Sequence, residues 1–323
     1  MASPNPDTVD RLVTRWKRSN VSSQGNLGRT RRIAVISDIH GCLGPLVVVL
    51  DDALDRGATE IWCLGDVVGR GPFARECIAL LDALGQLVSV WLAGNHDLAL
   101  LGDQSPYRAQ FTRQEDLDAI AEQTRDLVHG TGPRNAPPAV IGTGERIVMG
   151  AQRRRLALEH VCRPLPGGPV IYATHGGAPR GSESVASRYT DSSSAAVSLW
   201  KHAQEVAQRS DLPGPSLMVV GHAHGFRAFL GNDDEVVGVR HGPLVHEVRE
   251  HTWACIDVGS TGGWVRGASA LGGTYAVLDV TQDGVSCELV ALHVSVQPEL
   301  AALRSAGRFQ LERALTLGTE AAV

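Results

Sequence analysis

The sequence predicts an α/β fold, because strand-like and helix-like segments alternate along its first third. Three short runs rich in β-branched and other apolar residues, at 33–37, 60–64 and 87–92, are separated by two segments with helical spacing of apolar residues. This β-α-β-α-β order is typical of parallel strands joined by right-handed crossovers. Each run ends in a cluster of Asp, His or Asn beside glycine. We therefore expect three polar clusters to meet at the carboxyl edge of one sheet, where α/β proteins bind ligands.

The composition favours one large domain and excludes two classes of partner. With 323 residues, 43% of them hydrophobic, the chain can bury a substantial core, and we expect one α/β domain rather than two smaller ones. The formal net charge of -5 argues against a general nucleic-acid-binding or membrane-surface protein, because both classes carry an excess of basic residues. The sequence does not indicate an oligomeric state.

The cysteines and the N-terminus indicate a cytoplasmic protein. The six cysteines show no CxxC pairing in a chain of this size, which is typical of reduced thiols. The first residues lack the apolar core of a signal peptide, and no stretch approaches the roughly 18 apolar residues of a membrane span. We therefore expect a cytoplasmic location and no membrane partner.

Residues 1–30 are predicted to form a polar N-terminal extension. Within it Val9, Leu12, Val13 and Trp16 follow the i, i+3, i+4, i+7 spacing of one helix face. This spacing predicts a short helix docked on the body of the protein.

The two crossover segments carry the usual signals of helices. Pro45 and Pro72 stand where the helices would begin, and Gly57 and Gly85 follow the ends of the apolar patterns. Each segment is therefore predicted to form a helix that links two parallel strands.

Residues 98–165 are predicted to form an insertion over the ligand-binding edge of the sheet. This part lacks strand patterning, and a Pro/Gly-rich excursion separates two segments that we interpret as helices, at about 113–129 and 150–161.

Strand character returns in the second half of the chain. Runs at 170–174, 217–220 and 253–258 each precede a turn with glycine, and TYAVLDV and VSCELVALHV are joined by TQDG, an Asp-Gly hairpin signal. The pattern at 298–317 predicts one terminal helix that begins at Pro298. This helix and the tail after it make up the C-terminal segment, residues 298–323.

The polar side chains that follow the strands have the chemistry of a metal site, and five of the twelve histidines are among them. The set comprises Asp38, His40, Asp66, Asn95, His96, Asp97, His175, His222 and His224. Imidazole and carboxylate ligands without thiolates suit Mn, Fe, Zn or Co. One catalytic metal typically takes about three protein ligands, so this number implies two ions that share a carboxylate, with a bridging hydroxide as the nucleophile.

The order of these motifs resembles that of the calcineurin-like metallophosphoesterase superfamily. The motifs are Asp38-x-His40, Gly65-Asp66, Gly94-Asn95-His96-Asp97, His175 and Gly221-His222-x-His224. The segments GDVVGRGP and DVGSTG are similar to those of the bacterial YfcE-like or diadenosine-tetraphosphatase-like branch. The resemblance implies a calcineurin-like four-layer α-β-β-α sandwich with two mixed β-sheets and flanking helices, in a metallophosphoesterase domain of residues 31–297.

The resemblance also implies a role for each motif residue. One metal would be held by Asp38, His40 and His224, the other by Asn95, His175 and His222, and Asp66 would bridge both. His96 would be the general acid or the charge stabiliser for the leaving oxygen, oriented by Asp97. Manganese is the metal that we expect first, with Fe, Zn, Co or Ni as alternatives.

Two features of the GDVVGRGP segment bear on the substrate. Phosphoprotein phosphatases generally show GDxxDRG, whereas this chain has Gly69 at the position of the second acid, which disfavours a phosphoprotein substrate. Arg70 could bind a substrate phosphate through its guanidinium or brace its own loop, and the sequence leaves both roles open.

The leading hypothesis is an enzyme that hydrolyses a phosphate ester of a small molecule, such as a nucleotide. A Ser/Thr phosphoprotein phosphatase is the alternative enzyme. A non-catalytic binding or scaffold protein on the same fold is the alternative of another class. The loss of a metal ligand or of the general acid would mark such a scaffold, and here every expected position is filled.

Overall fold

The computed structural model shows two six-stranded mixed sheets packed face to face, with helices on both outer faces. It describes residues 6–23, 30–100, 114–127, 157–179, 189–242, 244–247, 251–264 and 273–317. This architecture confirms the expected four-layer α-β-β-α sandwich.

The first sheet begins with the three strands predicted in the N-terminal third of the chain. Its strands are β1 (Thr30–Ile36), β2 (Glu60–Cys63), β3 (Val88–Trp91), β9 (Leu244–Glu247), β11 (Gly273–Thr281) and β12 (Val285–Leu292). Their spatial order is β3-β2-β1-β11-β12-β9. The pairs β1–β2 and β2–β3 are parallel, and β11–β12 form an antiparallel hairpin, so both sequence-based expectations are confirmed.

The second sheet is built from the middle of the chain. Its strands are β4 (Glu159–Cys162), β5 (Ile171–Thr174), β6 (Leu217–Val220), β7 (Arg227–Asn232), β8 (Glu235–His241) and β10 (Trp253–Asp257). The spatial order is β4-β5-β6-β10-β7-β8, with β5, β6 and β10 parallel to one another. The three runs predicted at 170–174, 217–220 and 253–258 are therefore central strands of this sheet.

Helices cover the two outer faces of the sandwich and extend beyond them. They include α1 (Pro6–Ser23), α2 (Leu43–Asp55), α3 (Ala74–Leu84), α4 (Asn95–Leu100), α5 (Gln114–Leu127), α6 (Ser193–Arg209), α7 (Gln297–Ser305) and α8 (Phe309–Leu317). The first three pack on the outer face of the first sheet, and α6 packs on that of the second. The helices predicted in the crossovers and at 113–129 correspond to α2, α3 and α5 within the described residues.

Alternate side chains of β1 pack into two different hydrophobic cores. Ala34 and Ile36 point towards the helices of the first outer layer, whereas Ile33 and Val35 point into the core between the sheets. All four are completely buried, because a strand between two packed layers has no solvated face.

The predicted N-terminal helix is present and docked, and it is longer than the apolar pattern indicated. Leu12, Val13 and Trp16 are buried in the core shared with α2 and α3, and the indole N–H of Trp16 donates to the carbonyl of Leu50 over 3.1 Å. The division of the chain into segments 1–30, 31–297 and 298–323 stays a prediction.

The single terminal helix predicted at 298–317 is wrong. Two helices, α7 and α8, occupy this region, because Gly307 adopts a left-handed φ of +71° and ends α7. The N–H of Arg308 then bonds back to the carbonyl of Leu303 over 2.9 Å, which is a glycine-dependent helix end.

The helix predicted at 150–161 is wrong over its described residues. Glu159–Cys162 form β4, which pairs antiparallel with β5 at the edge of the second sheet, and residues 150–156 of the predicted helix lie outside the described residues. Four half-buried residues carry too short a pattern for periodicity to separate strand from helix. Among the described residues no helix combines the length and apolarity needed to cross a membrane.

The N-terminal helix gives a direct test of the packing. Trp16→Ala removes a side chain that is 1% exposed, together with its hydrogen bond, and should lower the free energy of unfolding by about 3–5 kcal/mol. Lys17→Ala, at an exposed position of the same helix, should change it by less than about 0.5 kcal/mol. Denaturant titration of both variants measures the difference, and equal small effects would mean that α1 is not part of the core.

Candidate metal centre

The seven candidate metal ligands lie where the carboxyl ends of strands from both sheets meet. Asp38 and Asp66 follow β1 and β2 of the first sheet, and His175 and His222 follow β5 and β6 of the second. All seven are buried, with at most 7% of any one residue exposed. The fold therefore gathers ligands that are up to 186 positions apart in the chain.

Left-handed backbone at non-glycine residues marks these turns. The φ angle is +53° at Asp38, +48° at His40, +51° at Asp66, +62° at His222 and +51° at His224. Each such residue is strained by about 1–2 kcal/mol, because its Cβ approaches a carbonyl oxygen. The strain is offset by bonds between the turns, such as that from the N–H of His40 to the carbonyl of Asp66 over 2.8 Å.

Asp38, His40 and His224 form the first group of ligand atoms. The Nδ1 atom of His224 lies 2.8 Å from the carbonyl oxygen of Trp264, and that of His40 lies 3.3 Å from the carbonyl of Val68. Since a carbonyl can only accept, each imidazole carries a proton on Nδ1. The two Nε2 lone pairs then face each other at 3.2 Å, with an oxygen of Asp38 2.9 Å from Nε2 of His224. This arrangement of acceptors fits a cation.

Asp66, His175 and His222 form the second group. Nδ1 of His175 lies 3.0 Å from the carbonyl of Leu64, so its Nε2 is directed towards Oδ2 of Asp66 and Oδ1 of Asn95, each at 3.3 Å. Nε2 of His222 is buried and has no hydrogen-bond partner among the described residues. A buried imidazole nitrogen that has no hydrogen-bond partner and is close to a carboxylate is suited to bind a metal ion.

Asp66 lies between the two groups. Its Oδ2 is 3.8 Å from Nε2 of His40 in the first group and 3.3 Å from Nε2 of His175 in the second. Its Oδ1 accepts the backbone N–H of His96 over 2.8 Å, which fixes the carboxylate plane. The position fits a carboxylate shared by two ions.

The electrostatics of the centre favour positive charge. Burial lowers the pKa of His175, but the carboxylates of Asp66 and Asp38 outweigh it and raise that pKa to about 9. Burial would raise the pKa of Asp38, yet the neighbouring imidazoles of His224 and His175 hold it below its ordinary value. Burial, reinforced by His175, lowers the pKa of His222 to about 3, so this imidazole is neutral and able to ligate at neutral pH. The donor set therefore fits divalent cations.

His96 lies beside both groups. It is 3% exposed, its ring centroid is 4.6 Å from that of His40, and its Nε2 is 4.0 Å from Oδ2 of Asp66. It also forms a possible ligand group with His40 and Asp66. Its expected role as a proton donor rather than a ligand stays a prediction.

Asp97 contacts the backbone of the neighbouring turn, and its expected role in orienting His96 stays a prediction. Its two carboxylate oxygens accept the backbone N–H groups of Asp66 (2.8 Å), Val67 (3.0 Å), Val68 (3.3 Å) and Gly94 (3.0 Å). Burial and the charge of Asp66 raise its pKa to about 7. These contacts tie the loop that carries Asp66 to the start of α4, so Asp97 acts on the backbone of the site.

Arg70 is nearly buried at the edge of the centre. Its Nε lies 3.4 Å from an oxygen of Asp116 on α5, and its guanidinium carbon lies 5.4 Å from the centre of the Trp264 ring. The next residue, Gly71, donates its N–H to the carbonyl of His40 over 2.6 Å. The structure thus places Arg70 beside the first group, and its two possible roles both remain open.

Gly69 explains the departure from the GDxxDRG pattern. Its φ is +122°, and a Cβ at this position would lie 2.4 Å from Nδ1 of His96 and 3.1 Å from Nδ1 of His40. The imidazole of His96 therefore occupies the space that an Asp side chain would need.

Aromatic residues at the site were missed by sequence reasoning. Trp264 contacts Arg70 and lies edge-on to His40, with its ring centroid at 6.2 Å, while its carbonyl accepts from His224. Tyr189 stacks on His222 with ring centroids 4.3 Å apart. Trp264 follows the Gly-rich turn after β10, which is a weak signal, and nothing near Tyr189 in the sequence indicates its position.

Comparison with known proteins agrees with this geometry. Residues 31–226 match the family model described as calcineurin-like phosphoesterase. The chain belongs to the calcineurin-like phosphoesterase family. The phosphoesterase assignment made from the motifs is therefore confirmed at the level of the family, and this family implies divalent metal ions at the clustered ligands.

Similarity to individual relatives covers parts of the chain. An uncharacterized protein from Methanocaldococcus jannaschii is 49% identical over 73 residues, which are 23% of this chain and 29% of that protein. A symmetrical bis(5'-nucleosyl)-tetraphosphatase from Erwinia tasmaniensis is 44% identical over 117 residues, 36% of this chain and 42% of that protein. The matched segments span less than half the length of either relative.

One solved structure matches nearly the whole chain. The metallophosphoesterase from Sphaerobacter thermophilus is 23% identical, and the alignment covers 90% of this chain and 99% of that one with a TM-score of 0.59. At this identity the match shows a shared fold.

The contact between Gly69 and His96 can be tested by adding one methyl group. Gly69→Ala should lower the free energy of unfolding by about 2 kcal/mol or more, because it adds a close contact to a left-handed backbone. Gly167→Ala is the matched control: its φ is +76° and its Cβ would meet nothing within 4 Å, so only the backbone cost of about 1 kcal/mol applies. Chemical denaturation compares the two, and equal losses would show that the His96 ring moves aside freely.

Proposed function

We propose that this protein is a dinuclear metal-dependent phosphoesterase that hydrolyses a phosphate ester of a small molecule, such as a nucleotide. The observation that carries the proposal is the pair of buried ligand groups with the carboxylate of Asp66 between them. Two groups of imidazole and carboxylate ligands around one carboxylate suit a pair of divalent ions.

The proposed ligands follow the two groups. The first ion would be held by Asp38, His40 and His224, the second by Asn95, His175 and His222, and Asp66 would contact both. We propose manganese, with Fe, Zn, Co or Ni as alternatives, because the ligands are nitrogen and oxygen atoms without thiolates. When bound, the ions supply charge neutralisation for the phosphate oxygens and lower the pKa of water for attack on phosphorus.

The protein's own residues supply positioning and a proton. Asp97 holds the loop of Asp66 through four backbone N–H groups, so the shared carboxylate does not depend on a flexible turn. His96, buried beside the two groups, would donate a proton to the leaving oxygen as the ester bond breaks. Arg70 would contact a non-bridging phosphate oxygen through its guanidinium.

Two findings favour a nucleotide-like ester over a phosphoprotein. Several relatives that match part of the chain are named symmetrical bis(5'-nucleosyl)-tetraphosphatase. Gly69 has no room for the second acid of the GDxxDRG pattern. A non-catalytic scaffold is disfavoured because all seven ligand candidates and His96 are present and buried together.

A substrate panel tests the function. The manganese-loaded protein is compared on bis-p-nitrophenyl phosphate, p-nitrophenyl phosphate, mononucleotides, cyclic nucleotides, dinucleoside polyphosphates and a phosphopeptide, with Asp66→Asn as the inactive control. We expect turnover of a nucleotide-type ester. Turnover of the phosphopeptide alone would establish the phosphoprotein phosphatase, and no turnover of any compound would favour the scaffold.

The proposed roles of Asp66 and His96 differ in a measurable way. His96→Ala should lower kcat by about 10²- to 10⁴-fold, the contribution of one positioned acid, and should keep both metals. Asp66→Asn should lower activity further and reduce the metal content, because the shared ligand loses its charge. His241→Ala, an exposed histidine of β8, is the matched control.

Steady-state kinetics and elemental analysis of the purified variants measure both effects. Loss of metal from His96→Ala would show that His96 is a ligand and would contradict the proposed assignment.

A further inference from the structure

A glutamine on α5 holds the backbone on both sides of Arg70. Oε1 of Gln123 accepts the N–H of Gly69 over 2.9 Å. Nε2 of Gln123 donates to the carbonyl of Gly69 over 2.5 Å and to the carbonyl of Gly71 over 3.0 Å. One amide thereby uses its acceptor and both of its donors on the two residues that flank Arg70.

The other contacts of this loop leave Arg70 little freedom. Gly71 bonds to the carbonyl of His40, and the Cα of Gly69 lies against the imidazole of His96. The guanidinium of Arg70 is close to both the carboxylate of Asp116 and the ring of Trp264. A shift of the loop away from α5 would therefore move the guanidinium relative to the metal ligands.

The helix that carries Gln123 is itself held in place. The N–H of Leu311 on α8 donates to a carboxylate oxygen of Glu115 over 3.0 Å. Arg308 also contacts α5 through Glu122, with its Nη2 at 2.8 Å from the carboxylate. These bonds give α5 a fixed position from which Gln123 can act on the loop.

We propose that Gln123 is a positioning residue that sets the place of the Arg70 guanidinium over the substrate phosphate. The inference rests on the proposed function and deepens it, because it names a residue on α5 that positions the arginine proposed to bind the phosphate. An amide is required because its acceptor and donors match the N–H and C=O groups of the loop. A carboxylate would face two carbonyl oxygens, and an apolar side chain would leave three backbone groups unsatisfied.

The test removes the amide and keeps the volume. Gln123→Met should lower kcat/KM about 10-fold, mainly through KM. The loss of these bonds should shift the equilibrium between the ordered and displaced positions of the loop by roughly a factor of ten. Metal content should not change. Gln204→Met, at a half-buried glutamine of α6, is the matched control and should leave kcat/KM unchanged.

A second background separates positioning from general structure. In an Arg70→Met protein, Gln123→Met should cause less than about a 2-fold further loss, because residues that act as a unit are non-additive. Equal losses in both backgrounds would overturn the inference, since Gln123 would then act through His96 or through stability. Hydrogen exchange gives a readout without activity: the Gly69 amide should lose protection in Gln123→Met and keep it in Gln204→Met.

Phosphate binding separates failure of this inference from failure of the proposed function. If the wild-type protein turned over no ester of the panel, the proposed function would fail. Calorimetric titration of the manganese-loaded proteins with orthophosphate would then decide the role of Gln123. If Gln123→Met weakens phosphate binding in the protein that has Arg70 and not in the Arg70→Met protein, the inference is supported. If the wild-type protein binds no phosphate, the inference is overturned.

Discussion

The metal centre depends on left-handed turns at residues that are not glycine. At Asp38, His40, Asp66, His222 and His224 the backbone adopts a left-handed conformation that L-residues seldom adopt. The cost of about 1–2 kcal/mol recurs at these five residues, so the site carries a substantial total strain. The turns hold one another through bonds between loops of different strands, and the carboxylate of Asp97 joins three successive N–H groups from Asp66 onward.

Burial of so many polar groups requires that their charges balance. Around the site, proton-bearing Nδ1 atoms are directed outward to carbonyl groups, and the Nε2 atoms are directed inward with the carboxylate oxygens. Carboxylates and imidazole nitrogens that converge in a low-dielectric interior are unfavourable unless protons or cations balance them. The pKa of His175 is raised by Asp66 and Asp38 against the effect of burial, so these two carboxylates favour positive charge beside this nitrogen. Two divalent ions bound among these side chains would compensate the buried carboxylate charge.

The sequence predicted those parts of the structure that depend on local pattern. Apolar runs gave the parallel strands, and the Pro and Gly positions gave α2 and α3, because those signals depend on a few neighbouring residues. The ligand candidates were visible because each polar turn follows a strand end, and parallel strands bring their ends to one edge. Their assignment to particular metals rests on the resemblance and stays a prediction.

What the sequence missed depends on contacts with other segments of the chain. The edge strand β4 is defined by pairing with β5, and its four residues have no decisive period of their own. The roles of Tyr189, Trp264 and Gln123 come from contacts with His222, Arg70 and Gly69 on other segments of the chain. The spacing of residues in a sequence does not reveal such contacts. The break between α7 and α8 was readable from Gly307, because a glycine after an apolar helical pattern indicates a helix end.

The pairing of β1 with β11 sets the order in which the protein can be completed during synthesis. β1 lies between β2 and β11, and its residues 30–35 pair with residues 276–281. The strand that leads to Asp38 therefore keeps an open edge on the ribosome until residues 276–281 have been made. Contacts of such long sequence separation slow folding and leave sheet edges exposed meanwhile. The strand that precedes Asp38 therefore acquires its second neighbour only when residues 276–281 are available to pair with it.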